Sequence, residues 1–413
     1  MKKQVSRAMT MLFIAFSLLG ITAACHTAEG GGMEMQSADL PARFVLELSS
    51  PFTLNTRGAR TAPVLSGIPF NDVWVLQFNS DGTDLLAAKN YSDSDIQADG
   101  SSSNHLVIVP TGNGMDAYFV NDNSRFYILV NAGEDFLGKL TSSVTDPKDA
   151  LTTAGLNTES SIKSLLQSVP AAITTDPGLL IDGPVTFQKN VSGGNTSIAV
   201  RFSLSRAYSR IDLKYKNTKP DDGKFTPTEA VVVNLPTHLS LFPREGAASG
   251  NYPAVGDATA DGNRVTAQGT ETPLSADFTG WGESTALTFY MGENLRGTGS
   301  ATTYAGKNVA TNGPGATLDG CTYLILRGTY YYRIGYNTDT TTPIYSTDGI
   351  SIEYKIYLGD NLTTDYNIRR NTLYDVLINI AGANSADARV TITDGNVIVF
   401  DDSETIENKV DFN

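Results

Sequence analysis

One segment of the sequence has the glycine spacing of a dinucleotide-binding loop. Gly112, Gly114 and Ala117 fit the pattern G-x-G-x-x-A after the apolar run 106–109. The chemistry needs a helix to begin there, so that its N-terminus meets the pyrophosphate. Tyr118-Phe119-Val120 and a turn follow instead, and we therefore expect no nucleotide cofactor at this loop.

Two further segments resemble phosphate and calcium loops but lack residues that bind the ion. Gly306-Lys307 is followed by Asn308, whereas a P-loop carries Ser or Thr there to bind magnesium. Asp93, Asp95 and Asp99 lack the glycine at position six and the glutamate at position twelve of a calcium loop. We interpret the first segment as an ordinary loop and the second as a solvated acidic turn.

Metal and thiol chemistry are limited by the scarcity of ligands, since the sequence has only three histidines and two cysteines: His26, His105, His238, Cys25 and Cys321. These are too few for a zinc cluster, an iron–sulfur site or a disulfide framework. No G-x-S-x-G elbow is present, and Cys321 has no evident His or Asn partner, so we expect a buried, unreactive thiol. A glycosidase-type carboxylate pair among the 44 acidic residues is the remaining enzymatic alternative. We expect no enzyme, no metal and no cofactor.

The charge balance argues against nucleic acid as a partner. The sequence has 30 Lys and Arg against 44 Asp and Glu, a formal net charge of −14, and it offers no basic stripe to neutralise phosphates. At 413 residues it is long enough for two domains, each with its own core.

Residues 1–24 have the features of a secretory signal peptide. Lys2, Lys3 and Arg7 precede a short apolar run, and small residues then lead into Cys25. This resembles a bacterial lipobox, in which the cysteine is acylated through its thiol, with palmitate as an expected chain, and becomes the mature N-terminus. An ordinary signal peptide with a chance cysteine is the alternative. We expect a flexible tether over 25–39, and loss of the leader would bring the net charge to −17.

Period-two alternation of apolar residues predicts half-buried β-strands along most of the chain. In the first half it involves Phe44, Leu46, Leu48, Trp74, Leu76, Phe78, Phe126, Ile128 and Val130. One helix is predicted from Ile162, Leu165, Leu166 and Val169, ending at Pro170, and Asp146-Pro147 predicts the start of a shorter one.

The second half continues as strands, with a change of register. Apolar residues occupy even positions over 198–204 and odd positions over 211–215, which predicts a bulge or a bend near Ser205-Arg206. Further strands are predicted at 231–233, 286–290, 323–326, 352–358 and 374–380, and a loop over most of 245–282. Runs of strands with few helices favour antiparallel sandwiches, divided near residue 190.

Tyrosines are concentrated at Tyr330, Tyr331, Tyr332 and Tyr336. They allow a sugar-stacking platform, but tyrosine is also common in strands because it fits a pleated, half-buried surface. We favour the structural role.

Three groups of short motifs resemble the Bacteroidales fimbrillin superfamily. The first is 354–359 followed by 366–376, where a strand ends in Leu-Gly and Arg370-Asn371-x-x-Tyr374 enters the last core strand. The others are 289–294 with 127–132, and 203–207. With the lipobox, these matches extend over nearly the whole chain in the family's order.

The resemblance implies a mainly β fold with two transthyretin-like antiparallel β-sandwich domains and a few short helices. The domains are expected at 40–190 and 191–382, followed by a tail at 383–413 that is a candidate donor strand. It also implies a surface-exposed outer-membrane lipoprotein precursor and a subunit of cell-surface fimbriae. In that family an arginine-specific protease removes the first strand, and a neighbouring subunit supplies a strand to the groove.

Two segments of this sequence fit those roles. Arg43–Ser49 alternates like a strand, and the polar loop after it carries Arg60, our first choice for cleavage, and Arg57, our second. The donor candidates flank a predicted turn at 394–396: Val390, Ile392, Val397, Ile398, Val399 and Phe400. The alternative is that both arginines are merely solvated and the tail completes its own fold.

The predicted function is therefore a lipid-anchored stalk or accessory subunit that pairs by β-strand addition with other fimbrial subunits, copies of itself or accessory ones. The alternative is a tip adhesin that binds a glycan or a partner protein, on a host or bacterial surface, through loops of the second domain.

Overall fold

Strands dominate the part of the chain that the computed structural model describes, and only three short α-helices interrupt them there. The described residues are 43–48, 70–92, 95–98, 105–108, 123–140, 146–168, 174–186, 188–192, 195–242, 269–275, 277–380, 382–383, 390–399 and 405–408. They all belong to one unit, Leu40–Asn413. The prediction of a mainly β fold with antiparallel sheets is confirmed.

The elements of the first half are β1 Arg43–Leu48, β2 Asp72–Phe78, β3 Leu85–Ser92, β4 Ile96–Ala98, β5 His105–Ile108, β6 Arg125–Val130, α1 Pro147–Thr153, α2 Glu159–Lys163, β7 Leu166–Ser168, β8 Leu180–Val185, β9 Gln188–Ser192 and β10 Asn195–Arg206.

Those of the second half are β11 Tyr208–Asn217, β12 Gly223–Val233, β13 His238–Ser240, β14 Glu271–Ser275, β15 Leu287–Gly292, α3 Tyr304–Lys307, β16 Tyr323–Tyr336, β17 Pro343–Tyr345, β18 Ile350–Tyr357, β19 Thr372–Ile380, β20 Val390–Val399 and β21 Thr405–Asn408.

The first sheet has the strand order β3-β2-β6-β8-β10-β1-β5-β4, with β9 also paired to β10. It folds over a core to which strands near both of its ends contribute, including Val73 and Val75 of β2 and Ile108 of β5. The opposite face of β2 is also buried, because residues such as Trp74 pack in a second core with both helices. The alternation in β2 predicts one buried face, whereas the structure buries both, since the helical layer covers the outer one.

The helices of this layer differ in how well local signals define them. Asp146 caps α1 by accepting hydrogen bonds from the backbone N–H groups of Lys148 and Asp149, as predicted. The prediction of a helix from Ile162 to Val169 is wrong beyond Lys163, because β7 begins at Leu166 and pairs with β13. Of the four apolar residues whose spacing predicted the helix, Ile162 and Leu165 are buried, but only Ile162 lies in α2.

Of the two predicted causes of the register change near Ser205-Arg206, a bulge or a bend, the structure shows a bend, at Ala207. The chain leaves the first sheet at Arg206 and enters another at Tyr208, with only Ala207 between them. Residues up to Leu204 therefore face one core, while Ile211 and Leu213 face a different one. Because the cores lie on different sides of the chain, the buried positions change parity.

Two five-stranded sheets enclose the core of the second half. The second sheet has the order β15-β11-β19-β20-β21, and the third has β14-β12-β16-β17 with β18 also paired to β16. Strands predicted at 231–233, 323–326, 352–358 and 374–380 are all present, with small shifts at their ends. Gly306-Lys307, interpreted as a loop, forms the end of helix α3, capped by Thr303.

The turn predicted at Asp394–Asn396 is wrong, because β20 runs through it without interruption. Gly395 pairs with Val376 of β19 on one edge and with Asn408 of β21 on the other. Backbone pairing on both edges keeps the segment extended, and a bulge in the β19 pairing between Val376 and Ile378 absorbs the irregularity.

The division into two domains near residue 190 stays a prediction. Strand β10, which that division assigns to the second domain, pairs with β1, β8 and β9 of the first sheet. The chain therefore passes from the first sheet, which contains β10, to the second sheet, which contains β11, at Ala207.

The Arg370-Asn371-x-x-Tyr374 motif ties this junction together. Asn371 has φ 54° and accepts a hydrogen bond at 3.0 Å from the backbone N–H of Arg206, while its own N–H donates to the carbonyl of Tyr208. Arg370 is buried, pairs with Glu293 at 3.0 Å and donates to the carbonyl of Leu241 at 2.7 Å. The motif is therefore a structural clamp between the start of β19 and the strands that precede it.

The Asn371→Ala variant is predicted to lower the free energy of unfolding by about 1.5–3.5 kcal/mol. It removes the acceptor of the part-buried Arg206 N–H, which costs about 0.5–1.5 kcal/mol, and places alanine at positive φ, which costs about 1–2 kcal/mol. Asn371→Gly is the matched control, because it loses only the hydrogen bond. Denaturant unfolding measures both variants, and equal stability of the two would contradict the strain argument.

Candidate strand-acceptor site

Strand β1 occupies a central position in the first sheet. It pairs in parallel with β10, from Arg43 opposite Ala199 to Leu48 opposite Leu204. On its other edge it pairs antiparallel with β5, from Phe44 opposite Ile108 to Glu47 opposite His105. A strand near the N-terminus of the described chain thus fills a gap between strands that come from much later in the chain.

The side chain of Leu46 anchors β1 in the core. It is fully buried, with 0% exposure, among Val73, Ile108, Val200 and Phe202. Burial of a leucine side chain stabilises by about 1.5–3 kcal/mol. The pocket that holds Leu46 is the apolar part of the slot that β1 fills.

Loss of β1 would leave both polar and apolar groups of the slot without partners. Residues Ala199–Leu204 of β10 would lose the backbone partner on one edge. Residues His105–Ile108 of β5 would likewise lose the backbone partner on the edge that faces β1. Unpaired buried backbone groups cost about 1–3 kcal/mol each. An emptied slot therefore has a strong preference for another extended segment, which pairs with both edges at once.

The chain between β1 and β2 contains both predicted cleavage residues. Arg57 and Arg60 lie outside the described residues, as do Cys25, the signal peptide and the tether. A cut at either arginine would break the covalent connection between β1 and β2. The strand would then be held by its noncovalent contacts with β5, β10 and the core.

The candidate donor residues lie far from this slot in the topology. Val390, Ile392, Val397, Ile398 and Val399 belong to β20, whereas Phe400 lies outside the described residues. Strand β20 pairs with β19 of its own chain, from Thr372 opposite Val399 to Ile380 opposite Val390, and β21 adds to its outer edge. The tail and β1 are thus each paired within one chain, and a donor role for the tail stays a prediction.

Two residues that the sequence motifs drew attention to, Cys321 and Lys307, are buried. Cys321 is 1% exposed, and burial raises the pKa of its thiol to about 12. Lys307 is also buried, donates from Nζ to the carbonyl of Asn361 at 2.6 Å and lies over the Tyr366 ring. Burial lowers its pKa to about 8. Sequence reasoning missed this buried lysine, because nothing in its local pattern distinguishes it from a loop lysine.

The tyrosine cluster divides between the two roles considered for it. Tyr330 is buried in the core of the second half, where its ring lies 5.3 Å from that of Tyr332. Tyr332 and Tyr336 are exposed. The structural role therefore holds for Tyr330, and the outer tyrosines are available for contact with another molecule.

Within the described ranges, no group of three or more His, Cys, Asp or Glu residues is placed to hold a metal ion. None of the helices there is long and apolar enough to cross a membrane. His238 lies beside Thr237, with 3.0 Å between Nδ1 and the hydroxyl, while His105 forms part of β5.

Comparison with known proteins gives one family match and several similar structures. A family model described as a domain of unknown function (DUF4906) matches residues 289–378. No curated protein matches the sequence.

Among solved structures, the chain is similar to a candidate cell adhesion protein from Parabacteroides distasonis ATCC 8503. That match has 15% identity and a TM-score of 0.46 and covers 87% of this chain and 94% of the other. It is also similar to the tip fimbrial protein Mfa3 from Porphyromonas gingivalis with C-terminal truncation, with 10% identity, coverage of 84% and 97% and a TM-score of 0.39. The fimbrial anchor protein Mfa2 from the same species has 12% identity, coverage of 87% and 99% and a TM-score of 0.31. At these identities the names describe those proteins and not this chain.

The Leu46→Ala variant is predicted to loosen β1 specifically. Truncation of this buried side chain costs about 2–5 kcal/mol, and the loss falls on the strand that the side chain anchors. Hydrogen exchange should become faster in 43–48 and in the facing residues 199–204. Leu213→Ala, at an equally buried leucine of the other core, is the control and should leave the exchange of 199–204 unchanged. Equal exchange of 199–204 in the two variants would contradict the anchoring role of Leu46.

Proposed function

We propose that this chain is a structural subunit of a bacterial cell-surface fimbria that joins its neighbours by exchange of β-strands. The observation that carries the proposal is the central position of β1 between β10 and β5, at the end of a connection that contains Arg57 and Arg60. A strand in this position can be removed by one cut, and its removal creates a site that only another strand satisfies. The role is structural and not enzymatic.

Cleavage after Arg60, with Arg57 as the second choice, opens the slot. The cut leaves the six residues of β1 as the contact between the released segment and the folded chain. A donor strand that pairs along the whole slot and continues past it replaces β1, because it gains more backbone and apolar contacts. Strand replacement of this kind needs no cofactor and no metal.

The donor in this proposal is the 388–413 tail of another subunit. The tail becomes available when β20 separates from β19 of its own chain. Strand β20 pairs with β19 on one edge and with β21 on the other, so that β20 and β21 form the outer part of the second sheet. Strand β20 is ten residues long and β1 is six, so a released β20 is long enough to fill the slot. Each subunit then carries an acceptor slot and a donor tail, as a stalk or accessory subunit requires.

The same proposal places the precursor at the outer membrane. Cys25 carries the lipid after the signal peptide is removed, and residues 25–39 connect the lipid to the folded chain. Cleavage at Arg60 or Arg57 frees the subunit from this anchor at the same moment that it opens the slot. Release from the membrane and competence for assembly are therefore coupled through one peptide bond.

An arginine-specific protease is predicted to convert the purified precursor into a form that lacks the residues up to Arg60 and assembles into a ladder on a gel. Mass spectrometry locates the new N-terminus. The Arg57→Lys, Arg60→Lys double variant keeps the charge and should resist both processing and assembly. A new N-terminus outside this loop, or a processed protein that stays monomeric at every concentration, would refute the proposed mechanism.

Deletion of residues 388–413 is predicted to abolish assembly of the processed subunit but to leave its slot able to bind. A synthetic peptide of residues 388–413 should bind the processed, truncated protein and raise its melting temperature, since a ligand that binds only the folded state stabilises it. The unprocessed, truncated protein is the control, because β1 occupies its slot. Equal peptide binding before and after processing would exclude the slot as the acceptor.

A further inference from the structure

Five large apolar side chains are exposed together at one end of the third sheet. They are Tyr332, Ile334 and Tyr336 of β16, Ile344 of β17 and Ile350 of β18, and we call them the apolar ribbon end. Ile334 is 68% exposed and the others are 39–48% exposed. Ile344 pairs with Gly335, next to Tyr336, whereas Arg333 lies over the Tyr336 ring, so the exposed side chains project from both faces of the ribbon end. A group of exposed apolar residues at one place on a surface is a candidate interaction site.

The ribbon end exists because two strands run past the core that they cover. Leu324, Leu326 and Tyr330 of β16 face the core of the second half, and Tyr332 follows in the same row. On β18, Ile350 precedes Ile352 and Tyr354 of that core in the same way. The pairing of β16 with β17 shifts between Arg333 and Gly335, and this bulge turns Ile334, the residue left unpaired, towards solvent.

The ribbon end is held in a fixed shape. The loop that joins β16 to β17 is closed by a bond from Asn337 N–H to the carbonyl of Thr342 at 2.9 Å, and Asp339 accepts bonds from the N–H groups of Thr341 and Thr342. Tyr345 donates its hydroxyl to the carbonyl of Pro220 at 2.8 Å. Because these bonds already hold the backbone of the ribbon end, binding of a partner does not have to order that backbone.

The tail leaves the folded chain at this same end. The carbonyl of Ile380, the last residue of β19, accepts a bond from Thr218 N–H at 2.9 Å, and the carbonyl of Gly382 accepts one from the Tyr354 hydroxyl at 2.7 Å. Gly223, five residues after Thr218, pairs directly with Tyr332. The start of the tail and the ribbon end are thus linked through Thr218, Gly223 and Tyr354.

We propose that the apolar ribbon end docks on the neighbouring copy of this chain that receives the tail. The inference rests on the proposed function, since a tail extended from Gly382 draws its acceptor to this end. Residues 1–60 carry six positive and four negative charges, so a copy processed after Arg60 has a net charge of −14 − 2 = −16, which opposes close approach. An ordered apolar surface beside the tail, with the Arg333 guanidinium 4.6 Å from the Tyr336 ring, favours contact with an acidic neighbour.

The test compares assembly of processed protein in three forms: wild type, the Ile334→Ser, Ile350→Ser double variant, and Val309→Ser. Val309 is 48% exposed outside the ribbon end, so its variant removes a comparable exposed side chain as a control. Light scattering should show assembly at least tenfold slower for the double variant and unchanged for Val309→Ser. Binding of the 388–413 peptide to the slot should be the same in all three, and thermal unfolding checks that all are folded.

Three outcomes overturn the inference in distinguishable ways. If the peptide binds but the double variant assembles at the wild-type rate, the docking role falls and the proposed function stands. If the double variant assembles normally but loses binding on a glycan array, the ribbon end serves an adhesin. If the peptide binds none of the three processed proteins, the proposed function fails and the docking role fails with it.

Discussion

The backbone pairing of β1 is the interaction on which the rest of the first sheet depends. Strand β10 uses one edge to pair with β8 and β9 and the other to pair with β1. Among the strands that the structure describes, β5 and β4 connect to the rest of the sheet through β1. Removal of β1 therefore separates β5 and β4 from β10 and opens the core beside Phe202. A sheet built in this way is left with unpaired strand edges when that element is lost, and the strand exchange that we propose depends on this property.

The hydrogen bonds of Asn371 connect the first sheet to the second half of the chain. Strand β10 ends at Arg206, whose N–H donates to the Asn371 side chain. Strand β19 begins at Thr372, directly after Asn371, and pairs with β20. Strand β10, which forms one edge of the slot, is thus linked directly to the residue before β19 by the hydrogen bond from the Arg206 N–H to the Asn371 side chain. Arg370 adds an ion pair with Glu293 that, being buried, has a fixed geometry. Residues that carry the family resemblance are here the residues that join the sheets.

Local signals in the sequence predict individual elements well, because a strand or a helix cap depends on neighbouring residues. The alternation over 43–48 and the Asp146 cap are examples that the structure confirms. Features that depend on distant residues cannot be predicted from the local sequence. Strand β7 forms in place of the end of the predicted helix because His238–Ser240 pairs with it. The change of sheet at Ala207 shifts the apolar pattern from even to odd positions, as a bulge within one strand would also do. The slot itself needs the parallel register of β1 against β10, which joins residues more than 150 positions apart.

The positions of the slot and the tail decide what kind of assembly strand exchange can form. The second sheet meets the first at Tyr208 and Asn371, and the tail begins at the other end of the same strands, after Ile380. A donor that leaves from one end and an acceptor at the other give a head-to-tail contact between unlike surfaces, and such a contact produces a ring or an open filament and not a symmetric dimer. In the assembly that we propose, the ribbon end contacts the acceptor copy beside the donor strand, and this second contact restricts the angle between successive subunits. A fixed angle at each joint is what separates a filament of defined shape from a flexible chain of tethered domains.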